Sequence, residues 1–354
     1  MTLLPKSQNP SSEGQFLTSR WDKKNASGLS KRDAVLQKLQ QEKKFTDTKD
    51  LRYIRFEKEN LSGVDLSGAD LTGASLSESN FSQANLSGVN LSLAKIEHCE
   101  FMGTNLSGAN LTNAISNFSG FGAANLSEAN FFDAQLEQVT LTRANLNGSD
   151  FRTATLRGAR IRDANLKNAI FINANLQECE FAGTSVKGTD FWNADLKKAS
   201  LKGLRDYQKA NWIGADIRDV DFHGAYLIRR FIMDQNYLYE FRNQSKLHES
   251  IYKIWLITSD CGRSFIRWAI FVASFTIFFA ILFSFVPMNW GVHEDSFFAP
   301  LYFSVITITT LGYGDITPTT LIGEVLSVIE VIIGYCSLGG LLSIFASKMG
   351  RRAD

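Results

Sequence analysis

The sequence predicts a membrane protein with two parts: a repeat domain wound from five-residue units, then an all-α domain with two membrane-spanning helices. Three observations in the 354-residue chain predict this fold class. An apolar residue recurs at every fifth position through the middle of the chain. Two long stretches near the C-terminus are apolar and almost free of charge. No proline occurs from residue 11 to residue 286, which is typical of a continuously wound repeat and unusual for a series of ordinary loops.

The composition argues against several classes of protein. Lys plus Arg 37 against Asp plus Glu 36 gives a net charge of +1, which argues neither for nor against a nucleic-acid partner. The 4 cysteines are scattered, without the spacing of a disulfide framework or a zinc site. The chain shows no nucleophile–base pair, metal constellation or phosphate-binding loop. We therefore expect neither enzymatic activity nor a cofactor.

The five-residue repeat runs from Leu61 to Leu201. Every fifth residue in this range is apolar except Ser116, and two places before each centre from Leu66 onward stands Ala, Val, Ser, Thr or Cys. Neither a helix of period 3.6 nor a strand of period 2 places every fifth residue on one side, whereas a chain that turns a corner every five residues does. The register slips by one near Asp206 and resumes at four further centres: Trp212, Ile217, Phe222 and Leu227.

This pattern, as in Ala69-Asp70-Leu71, resembles that of the pentapeptide-repeat family. The resemblance implies a right-handed, quadrilateral parallel β-helix over residues 51–230, with four pentapeptides per coil. Both the apolar centre and the small residue before it would point inward.

The charge of the repeat domain is uneven along its length. Some pentapeptide-repeat proteins mimic DNA with an acidic rod, but here acids predominate only in residues 61–140. Residues 141–230 hold more bases than acids, so we expect no nucleic-acid partner.

Polar or amphipathic segments flank the repeats on both sides. Residues 1–50 are a polar N-terminal segment, which we expect to be disordered over residues 1–30. After Ser30, a short apolar stripe predicts a helix that caps the open first coil. Residues 231–263 read as an amphipathic connector that lies at the membrane interface.

Two segments are long enough to cross a membrane. Residues 268–286 carry no charge, and residues 320–347 are interrupted only by Glu324 and Glu330. These would be the outer and inner helices of a pore domain at residues 264–354. Basic residues flank the two spans and none lies between them, which predicts a multi-pass protein of the cell membrane with both termini cytoplasmic. The flanking residues are Arg263, Arg267, Lys348, Arg351 and Arg352.

The loop between the spans resembles the potassium-channel signature T-x-x-T-x-G-Y-G-D. The matching residues are Thr307, Ile308, Thr309, Thr310, Leu311, Gly312, Tyr313, Gly314 and Asp315. A potassium ion that crosses a bilayer must exchange its water for oxygens, which backbone carbonyls supply when they point at one axis. Gly312 and Gly314 permit the left-handed backbone that this requires. Residues 295–309 suit a pore helix whose C-terminal end favours a cation.

The resemblance to two-span potassium channels of the bacterial type covers about residues 264–350. It implies a homotetramer around one pore, with potassium as the permeant ion. The ion would bind the carbonyls of the filter, residues 310–314: Thr310, Leu311, Gly312, Tyr313 and Gly314.

The same resemblance assigns residues to the outer mouth. Tyr302 and Phe303 stand where a Trp pair often packs against the filter Tyr. Ile306 stands where some relatives carry a carboxylate that bonds to the filter Asp, so we expect Asp315 to lack that partner. Thr317 replaces an aromatic residue that holds external blockers by cation–π contact, so tetraethylammonium should block weakly.

In the inner helix, Gly334 falls at the family's hinge position. One helix face is expected to line the cavity; it comprises Val331, Tyr335, Leu338 and Leu342. Leu342 and Ala346 are candidates for a constriction. Glu330 is an intramembrane carboxylate, which is either a functional group or a Glu bonded to a neighbouring helix near the filter.

These observations predict a potassium-selective tetrameric channel whose cytoplasmic repeat domains regulate or localise it, in contact with membrane lipid. A weakly selective cation channel is one alternative. A membrane-anchored binding scaffold with a vestigial pore is another. The sequence does not identify what the repeat domain binds.

Overall fold

The computed structural model describes residues 18–24, 28–43, 49–223 and 225–349. It divides into two compact units, Met1–Tyr237 and Leu238–Asp354. The first unit contains the repeats, and the second contains the two long apolar helices.

The repeat domain is a coiled parallel ladder with twenty residues per coil. Bridges join each corner residue to the residue twenty places further on, from Asp50–Asp70 to Ser185–Arg205. Backbone N–H groups donate to carbonyls of the next coil, as Leu61 N does to Asn80 O at 2.8 Å. The apolar centres from Leu61 to Leu201 are buried, as are the small residues two places before each centre from Leu66 onward. Four pentapeptides therefore complete one coil.

One extra residue near the end of the repeats explains the slip in register. From Asp190–Asn211 onward the bridged residues are twenty-one apart, and a short 3₁₀ turn, Tyr207–Lys209, holds the insertion. The ladder ends at Asp221. Leu227 is not a repeat centre, contrary to the prediction, because it lies in a helix that begins at Tyr226 and its side chain is 49% exposed.

Two kinds of side-chain stack reinforce the backbone ladder. Buried phenylalanines stack face to face from coil to coil, with ring centroids 4.6 Å apart for Phe131 and Phe151. On one corner, asparagine side chains donate to the asparagine one coil before, as Asn145 Nδ2 does to Asn125 Oδ1 at 3.0 Å. Each stacked amide thereby finds a partner within the ladder.

Helix α1, Lys31–Glu42, lies against the first coil. Ser30 caps it by accepting from Asp33 N, and Val35 and Leu39 are buried. The preceding segment is ordered where it is described: residues 18–22 are helical, and the buried Trp21 donates from Nε1 to Arg52 O at 2.9 Å. The expectation of disorder is therefore wrong for residues 18–24 and 28–30. Residues 1–17 and 25–27 lie outside the described residues.

The last coil is closed by helix α2, Tyr226–Asn243. Ile228 and Ile232 are buried against the repeats. Two amide side chains supply the hydrogen bonds that a further coil would have made. Gln235 Oε1 accepts from Trp212 N at 2.6 Å, and Asn236 Oδ1 accepts from Gly214 N at 2.7 Å. Two backbone donors at the open edge of the ladder are thus satisfied.

The register can be tested by a pair of substitutions. Ala164→Trp should lower the thermal unfolding midpoint of the repeat domain, because Ala164 is buried and overpacking a filled core costs about 1–3 kcal/mol or more. Lys167→Glu should change it little, because Lys167 is exposed. Differential scanning calorimetry of the full chain measures both, and equal effects would show that the register is wrong.

The second unit is helical, with short irregular segments. Helix α3, Lys246–Ser259, follows α2, so the predicted connector is two helices. The outer helix α4 spans Phe265–Ser284, the pore helix α5 spans Ala299–Ile308 and the inner helix α6 spans Leu321–Met349. The ends differ from the predicted bounds by one to four residues.

Contacts around the pore helix hold the helices of the second unit together. Strand β1, Met288–Asn289, pairs antiparallel with strand β2, Thr317–Pro318, and so joins the two ends of the loop between the spans. Phe279 and Phe283 of α4 pack with Phe303 and Ile306 of α5. Trp268 Nε1 donates to the carbonyl of Ser337 at 3.0 Å, which ties α4 to α6.

Candidate filter and pore elements

The residues predicted to form the filter follow directly on the end of the pore helix. α5 ends at Ile308, and the backbone N–H groups of Leu311 and Gly312 both donate to Ile306 O, at 2.9 and 3.2 Å. The carbonyl end of the helix, which carries partial negative charge, therefore lies at the start of residues 310–314. An electrostatic preference for a cation at this point follows.

The backbone of this segment alternates in handedness. The φ angle is +60° at Thr310, +50° at Gly312 and +77° at Gly314. The left-handed values expected at the two glycines are therefore present, and Thr310 adopts one as well. A side chain at either glycine would meet no atom within 4 Å, so the positive φ alone accounts for the glycines in this chain.

Two large side chains of the segment are unburied in the single chain. Leu311 is 60% exposed and Tyr313 is 66% exposed. Their apolar surface is therefore not covered by other described residues of the same chain.

Asp315 has two partners that sequence reasoning missed. Tyr302 Oη donates to Asp315 Oδ2 at 2.8 Å, and His293 Nε2 lies 3.3 Å from the same oxygen. Ile306, at the position of the absent carboxylate, is buried in the apolar core. The Tyr302 hydroxyl, and secondarily His293, hold the pKa of Asp315 below its usual range. The sequence feature that could have indicated this contact is a tyrosine, Tyr302, thirteen residues before Asp315.

The backbone segments around Gly291 and Asp315 also lie close together. A Cβ on Gly291 would lie 2.7 Å from the Asp315 carbonyl oxygen, so only glycine fits there without a shift. Thr317 is exposed and pairs with Asn289 across the β1–β2 ladder. Phe303 packs edge-on against Phe283, with ring centroids 4.9 Å apart, so in the single chain it supports the outer helix.

The inner helix meets the end of the pore helix at Gly334. A Cβ at this position would lie only 2.2 Å from Ile308 O. Glycine is therefore required for the inner helix to approach the end of the pore helix this closely. Most of the predicted cavity face is open in the single chain: Tyr335, Leu338 and Leu342 are exposed, and Val331 is half-buried. Ala346, of the candidate constriction, is exposed as well.

Glu330 is fully buried, and its carboxyl contacts the hydroxyl of Ser304 on the pore helix. Ser304 lies on the pore helix, so the Glu330 carboxyl contacts a neighbouring helix near the filter. Its second oxygen, Oε2, has no hydrogen-bond partner among the described residues.

Comparison with known families agrees with this division of the chain. The ion-channel family matches residues 267–351. Pentapeptide repeats match residues 60–97 and 84–120, and a pentapeptide repeat region matches residues 115–191. The chain joins pentapeptide repeats to an ion-channel domain. Two helices among the described residues are long and apolar enough to cross a membrane, Phe265–Ser284 and Leu321–Ala346. Together with the family match, these two helices indicate a membrane protein.

Two curated relatives align with parts of the chain. "Probable potassium channel protein 2" of Methanocaldococcus jannaschii is 50% identical over 50 residues, which are 14% of this chain and 15% of that protein. "Potassium voltage-gated channel protein Shal" of Drosophila melanogaster is 30% identical over 135 residues, which are 38% of this chain and 22% of that protein. The alignments thus span less than a quarter of either relative.

Solved structures align with the repeats. HetL, a pentapeptide repeat protein of the cyanobacterium Nostoc, is 28% identical, covers 48% of this chain and 84% of its own, and gives a TM-score of 0.33. QnrB1, a plasmid-mediated fluoroquinolone resistance protein, is 21% identical, covers 50% of this chain and 98% of its own, and gives a TM-score of 0.34.

Proposed function

We propose that four copies of this chain form a potassium-selective channel in which residues 310–314 of each copy line one pore. The observation that carries the proposal is the left-handed backbone at Thr310, Gly312 and Gly314, directly after the carbonyl end of a pore helix. Alternating handedness lets successive carbonyls face one side of the segment, as is needed to replace the water of an ion. Both curated relatives are named potassium channels, which favours potassium.

The proposal of four copies rests on how an ion must be coordinated in the filter. One chain offers one carbonyl at each level of the filter, so a ring of oxygens needs several copies. Burial of Leu311 and Tyr313 between copies would remove their exposed surface from water, at about 25 cal/mol per Å². Asp315, Glu294 and Asp295 of four copies would gather cations at the outer mouth.

The remaining parts of the proposal concern placement. The basic residues that flank the spans favour a cell membrane protein with both termini, and therefore the repeat domains, in the cytoplasm. There a right-handed, quadrilateral β-helix would regulate or localise the channel. Lipid would contact the outer helix.

Ion flux into liposomes tests the proposal. Purified full-length protein should pass K⁺ at least about tenfold better than Na⁺, a difference of about 1.4 kcal/mol between the two ions. Reversal potentials measured with K⁺ and Na⁺ on opposite sides give the ratio. Equal permeabilities would favour the weakly selective cation channel. Absence of flux from folded protein would favour the binding scaffold.

Tyr302→Phe should make flux more sensitive to external acid. The Tyr302 hydroxyl depresses the pKa of Asp315, so the carboxylate keeps its charge to lower pH than usual. Without this donor the pKa rises toward its ordinary range, and protons neutralise the outer mouth at a higher pH. Flux against external pH measures the shift. Tyr226→Phe, a change at an exposed tyrosine of helix α2, is the control. Identical pH profiles for both variants would contradict the role of Tyr302.

A further inference from the structure

A single serine hydroxyl connects the three helices of the ion-channel domain. Ser304 of α5 is fully buried, and its Oγ lies 2.8 Å from the carbonyl oxygen of Thr276 on α4. The same Oγ contacts Oε1 of Glu330 on α6, which is also fully buried. The outer, pore and inner helices therefore meet in one hydrogen-bonded chain.

Counting hydrogens favours one protonation state for this hydrogen-bonded network. A serine hydroxyl carries one hydrogen and can fully satisfy only one acceptor. Carbonyl and carboxylate oxygens are both acceptors, so an ionised Glu330 would leave one of the two contacts without a hydrogen. When Glu330 is protonated, its carboxyl donates to Ser304 Oγ and Ser304 donates to Thr276 O. Both contacts are then hydrogen bonds.

The surroundings also favour the neutral acid. Glu330 forms no ion pair among residues 225–349, and its Oε2 is buried without a partner, which would be costly for a full charge. The packed helices carry few other titratable or charged groups. Arg267 is on α4 and pairs with Asp260, and Tyr302 on α5 is bonded to Asp315. On α6, Glu324, Tyr335 and Cys336 are exposed, and Lys348 lies near its C-terminal end.

We propose that Glu330 is a positioning residue that works as a neutral carboxylic acid: it donates to Ser304 and so holds the pore helix in the position that conducts. This inference rests on the proposed channel function. Loss of the proton would leave two acceptors for one hydroxyl, and α5 would lose its bond to either α4 or α6. The conducting form is the protonated one, so flux falls as the pH rises.

Two substitutions in the full-length protein separate the donor from the proton. Glu330→Gln keeps a donor, because its amide N–H replaces the carboxyl O–H toward Ser304, but it cannot titrate. It should conduct within about twofold of wild type at neutral pH and keep this flux in alkaline solution, where wild type declines. Glu330→Leu removes the donor and should lose flux about tenfold, as a lost buried hydrogen bond of about 1.4 kcal/mol predicts. A glutamine variant as impaired as the leucine variant, or a wild type without alkaline decline, would overturn the proposal.

Infrared spectroscopy gives a readout that does not depend on conduction. At neutral pH the wild-type protein should show the carbonyl band of a protonated carboxylic acid. Glu330→Gln should lack this band, so the wild-type-minus-variant difference spectrum should contain it. Absence of that difference band would refute the neutral acid even in a conducting channel. Conversely, a wild type with the band but without potassium flux would refute the channel function and leave the protonation assignment standing.

Discussion

Gly334→Ala should reduce potassium flux strongly, whereas Gly339→Ala should leave it nearly unchanged. A Cβ at Gly334 would lie 2.2 Å from the oxygen of Ile308, 2.9 Å from its carbonyl carbon and 3.2 Å from its Cα. These are backbone atoms at the end of the pore helix, which cannot rotate away as a flexible side chain can. The substitution must therefore push the pore helix and the inner helix apart, at the point where the filter begins.

Gly339 is a close control, because it is a glycine of the same helix in which a Cβ would meet nothing within 4 Å. There alanine gains helix propensity of about 1 kcal/mol without a clash. We expect Gly334→Ala to lose at least about tenfold in liposome flux, since displacement costs more than about 1.4 kcal/mol. Flux from Gly334→Ala within about twofold of wild type, or an equal loss in both variants, would show that the close contact does not support conduction.

The repeats could be predicted from the sequence because their core constrains every coil in the same way. Each apolar centre from Leu61 to Leu201 is buried, and the predicted slip at Asp206 corresponds to one inserted residue. What the period could not predict is how the ladder ends. Leu227 matches the spacing but lies in the helix that closes the last coil, and the closing contacts come from Gln235 and Asn236. These two residues stand outside the repeat, so no periodicity indicates them.

The candidate site likewise has one part that the sequence predicts and another that it does not. The motif gives the filter its place, because its glycines and its position between two spans are local features of the chain. The contacts of Asp315 could not be predicted, because His293 and Tyr302 come from separate segments of the loop. Their approach depends on how the β1–β2 pair closes that loop. Likewise, Gly334 was predicted as a hinge from its position, whereas its contact with Ile308 requires the packing of two helices.

Gly312→Ala should reduce the selectivity for potassium over sodium, or abolish flux, without unfolding the protein. Gly312 has a φ of +50°, and a Cβ there would meet no atom within 4 Å of the same chain. Its effect therefore arises from the backbone: an L-residue in the left-handed region costs about 1–2 kcal/mol, or about 4–8 kcal/mol over four copies in one pore. A backbone that relaxes toward negative φ turns a carbonyl away from the ion.

Gly88→Ala places the same strain outside the pore. Gly88 lies in the repeat domain with a φ of +62° and open space around its Cβ position. Equivalent corners already hold residues such as Gln83 and Leu93 at φ values of +60° and +59°, so the coil accepts a side chain there. We expect Gly88→Ala to keep the wild-type ratio of potassium to sodium permeability in reversal-potential measurements. Gly312→Ala should lose it by about tenfold or more, or conduct no potassium. If Gly312→Ala retained the wild-type ratio and flux, residues 310–314 would not be the segment that selects the ion.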